Sequence, residues 1–222
     1  MKHHATPLLA TALLLLPASP ANGQTTVALT GGVNIATLSI ASTAGPVPGV
    51  ESVRLSSIGI AFTFPRSETL GFQVGGSYSQ KGGSLIFAST EVIGQSTIET
   101  SHFEITGLAR VQFPLGSDRV RGHLLAGPAV AFELSCELYA KANVGGALVD
   151  RDDDCHESPN LSRAPFDPGV AAGGGLELWL ADRLGISLGA LYTHGLQDID
   201  TSNDSLRRRT LALRGGFVYL RG

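Results

Sequence analysis

The sequence predicts an all-β fold, an eight-stranded antiparallel up-and-down transmembrane β-barrel. Three observations predict it. Eight segments alternate apolar residues with small or polar ones, and the connections between them alternate long and short. The charged residues within the segments fall on the face opposite the apolar residues. Alternation at period two is typical of a strand with two different environments, and tight turns at one end with longer loops at the other are typical of outer-membrane barrels.

The N-terminus carries an export signal. Met1-Lys2-His3-His4 is basic, an apolar run over residues 7–16 follows, and small residues lead to Gln24. This order is typical of a secretory signal peptide, and the apolar run is shorter than the roughly 20 residues of a spanning helix. We expect residues 1–23 to be a signal peptide and residues 24–222 to form one outer-membrane β-barrel domain in the bacterial cell outer membrane.

The composition excludes several functional classes. The chain has 28 glycines in 222 residues, 16 % charged residues and a formal net charge of −3. A mild charge gives no electrostatic argument for nucleic acid as a partner. The sequence also lacks a Gly-x-Ser-x-Gly elbow, a phosphate loop and a zinc pattern. We therefore expect a protein that is not an enzyme and has no cofactor.

The first half of the chain predicts four strands. The clearest covers residues 70–83, where the apolar side chains share one face and the glycines, serines and Lys81 share the other. The proline- and glycine-rich residues 41–51 predict a loop, and residues 65–69 predict a short turn. Residues 84–101 have no steady period and predict a longer loop, in which 85–87 can extend a strand. The other three strands are predicted over 25–40, 52–64 and 102–113.

The second half predicts four more strands. Short turns are expected over 114–118 and 181–185, and long irregular segments over 134–165 and 197–206. Pro128 cannot donate a ladder hydrogen bond, so a local bulge is predicted there. The strands are predicted over 119–132, 166–180, 186–196 and 207–220.

Charged side chains within the strands predict a polar lumen. A charge facing lipid near the midplane would cost about 2–4 kcal/mol, whereas opposite charges can pair inside a narrow barrel that side chains fill. The predicted lumen polar network consists of Glu104, Arg110, Arg121, His123, Glu177 and Arg214.

Four short segments follow one another in a specific order: residues 77–83, 124–130, 173–178 and 191–196. Together they resemble the PorT-like outer-membrane beta-barrel domain family, and the resemblance covers essentially the whole mature chain. It implies an eight-stranded antiparallel barrel in the outer membrane, in a family whose members mostly have no assigned activity. The C-terminal Tyr219-Leu220-Arg221-Gly222 departs from the terminal aromatic residue that is usual in outer-membrane barrels.

One predicted external loop carries both cysteines. Cys136 and Cys155 in an exported chain predict a disulfide. Clustered carboxylates in the same loop suit Ca²⁺, but Cys155 stands where an EF-hand loop has glycine, so a solvated loop is the favoured interpretation and no metal site is predicted. The acidic residues are Asp150, Asp152, Asp153, Asp154 and Glu157.

The loops are expected to carry the function. We expect a structural or binding role, with outer-membrane lipid around a monomer and an extracellular or envelope partner on the loops. Two alternatives stay open. A rim-active enzyme would need a Ser or carboxylate next to His194 or His123, which fall on opposite faces by parity. A soluble exported β-barrel that binds an apolar ligand would turn the apolar faces inward.

Overall fold

The computed structural model describes residues 24–41, 50–51, 53–88, 92–144, 147–154, 166–196 and 205–221. None of these residues belongs to a helix long and apolar enough to cross a membrane. The strands are β1 Thr25–Ala41, β2 Val50–Glu51, β3 Val53–Pro65, β4 Leu70–Ala88, β5 Val92–Pro114, β6 Val120–Val144, β7 Ala147–Asp154, β8 Phe166–Trp179, β9 Leu184–Gly195 and β10 Ser205–Arg221.

Eight of these strands close a barrel, which confirms the predicted fold. All neighbours pair antiparallel in the order β1-β3-β4-β5-β6-β8-β9-β10, and β10 pairs back onto β1. Following paired residues once around the barrel from Phe166 returns to Leu176, ten residues further along β8. A stagger of this size in an eight-stranded barrel tilts the strands by about 40° from the barrel axis.

The apolar sides of the strands face outward. Leu29, Ile58 and Leu188 are each more than half exposed, although large apolar side chains normally avoid water. An apolar band on the outside of a closed barrel is the surface that contacts lipid. The soluble alternative, which requires these faces to point inward, is therefore wrong.

Two rings of aromatic side chains bound the apolar band. Phe103 and Phe113 are ten residues apart on β5, which is about 33 Å along a strand and about 25 Å along the tilted barrel axis. An apolar band about 25 Å tall is typical of outer-membrane barrels. The outer girdle contains Tyr78, Phe103, Phe132, Phe166 and Tyr192, and the periplasmic girdle contains Phe62, Phe64, Phe72, Phe113, Phe217 and Tyr219. The short turns lie beyond the periplasmic girdle.

Two segments that were predicted as loops are largely strand. β4 and β5 stay paired up to Ala88 and Ile93, and β6 continues to Val144, where it pairs with β7. Part of the predicted first loop, Val50–Glu51, also pairs with β4. The predictions failed because alternation reports a difference between the two faces of a strand. In these segments the buried side chains include the polar Ser84 and Thr100, so the buried face is not an apolar face and the alternation of apolar and polar residues is missing.

The bulge predicted at Pro128 is wrong. The β5–β6 register is the same on both sides of Pro128, although the ladder lacks the pairs that Pro128 and Gly127 would make. The missing proline N–H thus interrupts the ladder without inserting a residue. The register shifts instead between Ser101 and His102, where Leu134 is the extra residue on β6.

Candidate functional site

A buried ion pair lies in the periplasmic half of the lumen. Arg110 Nη2 lies 2.7 Å from Glu177 Oε1, and both side chains are almost completely buried. Arg110 Nη1 also donates a 3.3 Å hydrogen bond to Gln73 Oε1. A buried charge needs a partner of opposite sign, and β5 and β8 supply one each across the lumen.

An apolar layer fills the middle of the lumen. Leu108 lies on β5 between Arg110 and Glu104 and is completely buried. Its neighbours are small or branched apolar side chains from four other strands. The apolar layer contains Leu108, Leu125, Ala129, Ala171, Leu191 and Ala212.

A second ion pair lies on the outer side of the apolar layer. Lys81 Nζ is 3.2 Å from Glu104 Oε2, and the Thr193 hydroxyl donates to Glu104 Oε1 at 3.4 Å. Asn34 Nδ2 donates to Ser79 Oγ at 2.9 Å close by on the same side of the layer. The predicted network omitted Lys81, although parity placed it on the same face as Ser77 and Ser79, and this signal was sufficient to find it.

The structure separates the six residues of the predicted network. Glu104, Arg110, His123 and Glu177 are buried inside the barrel, and Arg214 lines one small cavity together with Arg110, His123 and Glu177. Arg121 is exposed instead. It pairs with Pro114 at the very end of the β5–β6 ladder, so its side chain lies at the periplasmic mouth.

The two histidines that a rim enzyme would use are on different sides of the barrel wall. His123 is buried in the lumen. His194 lies on β9 two residues from the outward-facing Tyr192, and therefore on the outward face. The geometry brings neither histidine into a site with the other.

Strands β4, β5 and β6 continue past the outer girdle as a sheet. Ten residues of β4 follow Tyr78, which is about 33 Å of strand. We call this part the projecting sheet. It consists of residues 50–51, 79–88, 92–102, 133–144 and 147–154, with β2 at one edge and β7 at the other.

One surface of the projecting sheet is acidic. Glu99 and Glu137 are directly opposite each other on β5 and β6, an arrangement that is unfavourable for two like charges. The Tyr139 hydroxyl donates a hydrogen bond to Glu137 Oε2, and this bond, with the nearby Asp152 and Glu99 charges, raises the pKa of Tyr139 to about 12. Lys141 relieves part of the charge through an exposed ion pair with Asp150.

The predicted disulfide involves a residue outside the described part of the chain. Cys136 is buried on β6, whereas Cys155 is not described. The last pair of the β6–β7 register is Glu137 with Asp154, and each cysteine adjoins one member of this pair in sequence. The disulfide remains a prediction, and the β6–β7 register supports it.

The acidic run was expected in a solvated loop, but its first residues lie in an edge strand. Asp150, Asp152, Asp153 and Asp154 belong to the edge strand β7. Glu157 lies outside the described residues. Within the described ranges, no group of three His, Cys, Asp or Glu residues could hold a metal ion.

Comparisons with known proteins give one matching family model and several similar solved structures. A family model described as outer membrane protein beta-barrel domain matches residues 20–201. No curated protein matches the sequence. Among solved structures, OprG from Pseudomonas aeruginosa is 10 % identical with a TM-score of 0.48, and the alignment covers 90 % of this chain and 97 % of that one. Neisserial surface protein A is 15 % identical (TM-score 0.43, coverage 87 % and 96 %). Ail of Yersinia pestis is 14 % identical (TM-score 0.37, coverage 88 % and 99 %).

Proposed function

The chain belongs to the outer membrane protein beta-barrel domain family, and from that premise we propose that it is a non-enzymatic binding protein that presents its projecting sheet to a basic protein partner outside the cell or in the envelope. The barrel holds this sheet at the outer-membrane surface. The finer resemblance to the PorT-like family is part of the same proposal and assigns no activity.

The observation that carries the proposal is the length of the paired strands outside the lipid band. Crossing the membrane needs about 9–11 residues per strand, yet β5 has 23 residues and β6 has 25. The additional residues form an ordered sheet that is not needed to close the barrel. Ordering a residue costs conformational entropy, so a sheet kept in one shape in water suits recognition of a partner.

Charge indicates the kind of partner. Glu99, Glu137 and Asp152 surround Tyr139 on the projecting sheet, and a basic surface would relieve their mutual repulsion on binding. The charged edge strand β7 also disfavours pairing between two copies of the sheet. The barrel wall itself is closed by β1–β10 pairing, which supports a monomer in the membrane.

Site-specific photocrosslinking in the native host tests this proposal. A crosslinking amino acid at Lys141, which is exposed and lies on the same face of β6 as Glu137 and Tyr139, is expected to give a discrete protein adduct. The same amino acid at the lipid-facing Ile60 is the control and is expected to give no such adduct.

The purified partner should bind the protein in lipid nanodiscs. Replacing residues 84–97 by an Asn-Gly turn, which closes the hairpin after the Gly83–Ile98 pair, should weaken that binding about tenfold or more.

Charge variants sharpen the same test. Glu137→Gln combined with Asp152→Asn is expected to weaken binding and reduce its salt dependence, whereas Glu68→Gln in a periplasmic turn should change neither. A partner that binds the trimmed and charge-neutral variants as tightly as the native protein would contradict the proposal, and so would the absence of any adduct at Lys141.

A further inference from the structure

A cavity of about 480 Å³ opens at the periplasmic end of the lumen. We propose that it binds a small organic anion from the periplasm through a carboxylate or phosphate group. This inference goes beyond the proposed function, because the projecting sheet lies at the opposite end of the barrel. We call the cavity the vestibule. Its walls include Arg66, Arg110, Arg121, Glu177 and Trp179.

The volume of the vestibule favours a ligand larger than an inorganic ion. Ligand sites in proteins typically have volumes of about 300–1,000 Å³. Pro65, Trp179 and Leu220 give the vestibule apolar wall next to its charged groups. A compact organic body with one charged end matches this combination better than a bare ion does.

Two buried donors in the wall have no acceptor. Trp179 Nε1 and Arg110 Nε are both buried, and neither has a hydrogen-bond partner among the described residues. Indole and guanidinium nitrogens can only donate, so each of them requires an acceptor oxygen. Both atoms are buried within the wall, so a carboxylate or phosphate in the vestibule reaches Trp179 Nε1 only after the indole rotates toward it.

The balance of charge also favours an anion. The wall contains three arginines and two glutamates, Glu68 and Glu177. Arg110 and Glu177 neutralise each other at 2.7 Å. Arg121 is exposed at the end of its strand, where its planar guanidinium is accessible to a ligand and suits the two oxygens of a carboxylate or phosphate.

The vestibule is closed toward the outside of the cell. Its inner end is the Arg110–Glu177 ion pair, and the completely buried Leu108 of the apolar layer follows on β5. A ligand therefore enters and leaves from the periplasm, and the vestibule is a binding site rather than a passage.

Tryptophan fluorescence tests the proposal directly, because Trp179 is the only tryptophan in the chain. The full mature protein in a zwitterionic detergent is titrated with butyrate, with propyl phosphate and with neutral butyramide. Both anions are expected to change the Trp179 emission saturably, and butyramide is not. Inorganic phosphate, which lacks an organic body, is expected to bind more weakly than propyl phosphate.

Two arginine variants locate the effect. Arg121→Gln removes the accessible cation and is expected to weaken anion binding about tenfold. Arg119→Gln changes an exposed arginine of the adjacent turn that does not line the vestibule, and binding should stay unchanged. Both variants should keep the heat-dependent gel shift of a folded barrel.

Three results would overturn the proposal. The first is a response to butyramide equal to that of butyrate. The second is an equal effect of the Arg119 and Arg121 variants. The third is the lack of a saturable change with either organic anion below about 50 mM, a concentration at which even a weak small-ligand site is occupied.

Discussion

Arg110→Ala is expected to lower the free energy of unfolding by about 3–5 kcal/mol, because it leaves the Glu177 carboxylate buried without a partner. The two groups are 2.7 Å apart and nearly completely buried, so the Glu177 carboxylate loses its nearest counter-charge while most of it stays shielded from water. The change also removes the hydrogen bond to Gln73. Urea unfolding of the protein in lipid vesicles measures the effect, with the folded fraction read from the unboiled gel band.

Two further variants separate the ion pair from its surroundings. Arg121→Ala is the matched control, since it removes an exposed arginine from the same lumen-facing side, and we expect a change within about 0.5 kcal/mol. Adding Glu177→Gln to Arg110→Ala removes the unpaired charge and should recover part of the lost stability. Equal stability of the Arg110 and Arg121 variants would show that the lumen pair does not contribute as its burial implies.

Val74→Arg is expected to lower the free energy of unfolding by about 2–4 kcal/mol, because it places a charge against lipid near the midplane. Val74 lies on β4 between Phe72 of the periplasmic girdle and Tyr78 of the outer girdle, and it pairs with Gly107 near the middle of the span from Phe103 to Phe113. Urea unfolding in lipid vesicles again provides the measurement.

Leu115→Arg is the control for this prediction. Leu115 is exposed in a periplasmic turn, where an arginine reaches water and should cost about 0–1 kcal/mol. Similar losses for Val74→Arg and Leu115→Arg would contradict the assignment of the outward face of β4 to lipid.

The membrane-crossing parts of the fold could be predicted from the sequence because each strand there has lipid on one side and packed side chains on the other. The alternation of apolar with small or polar residues over 70–83 reflects the difference between these two environments. Outside the membrane no apolar face contacts lipid, and buried side chains there include the polar Thr100 of β5, so apolar alternation does not predict the projecting parts of β5 and β6. The sequence predicts a disturbed β-ladder at Pro128. Whether the disturbance is a bulge or a gap in the ladder depends on the register with β5, which the sequence of one strand does not determine.

The candidate sites could be predicted only in part. Parity placed Glu104 and Arg110 in the lumen, but which residues pair there depends on the stagger between strands. Lys81 reaches Glu104 from the neighbouring strand β4, and Arg121 is exposed because its strand begins at the mouth. Parity along residues 166–180 places Trp179 on the inner face, but the vestibule around it requires several strand ends that are distant in sequence.

Gel mobility of the protein extracted from the outer membrane, unheated against boiled, tests the central claim most directly. The claim is a closed barrel with lipid outside and a packed lumen inside. It predicts recovery from the outer-membrane fraction and a heat-dependent change in mobility, because a closed barrel resists detergent until it is boiled. Recovery from the soluble periplasm with the same mobility before and after boiling would contradict it.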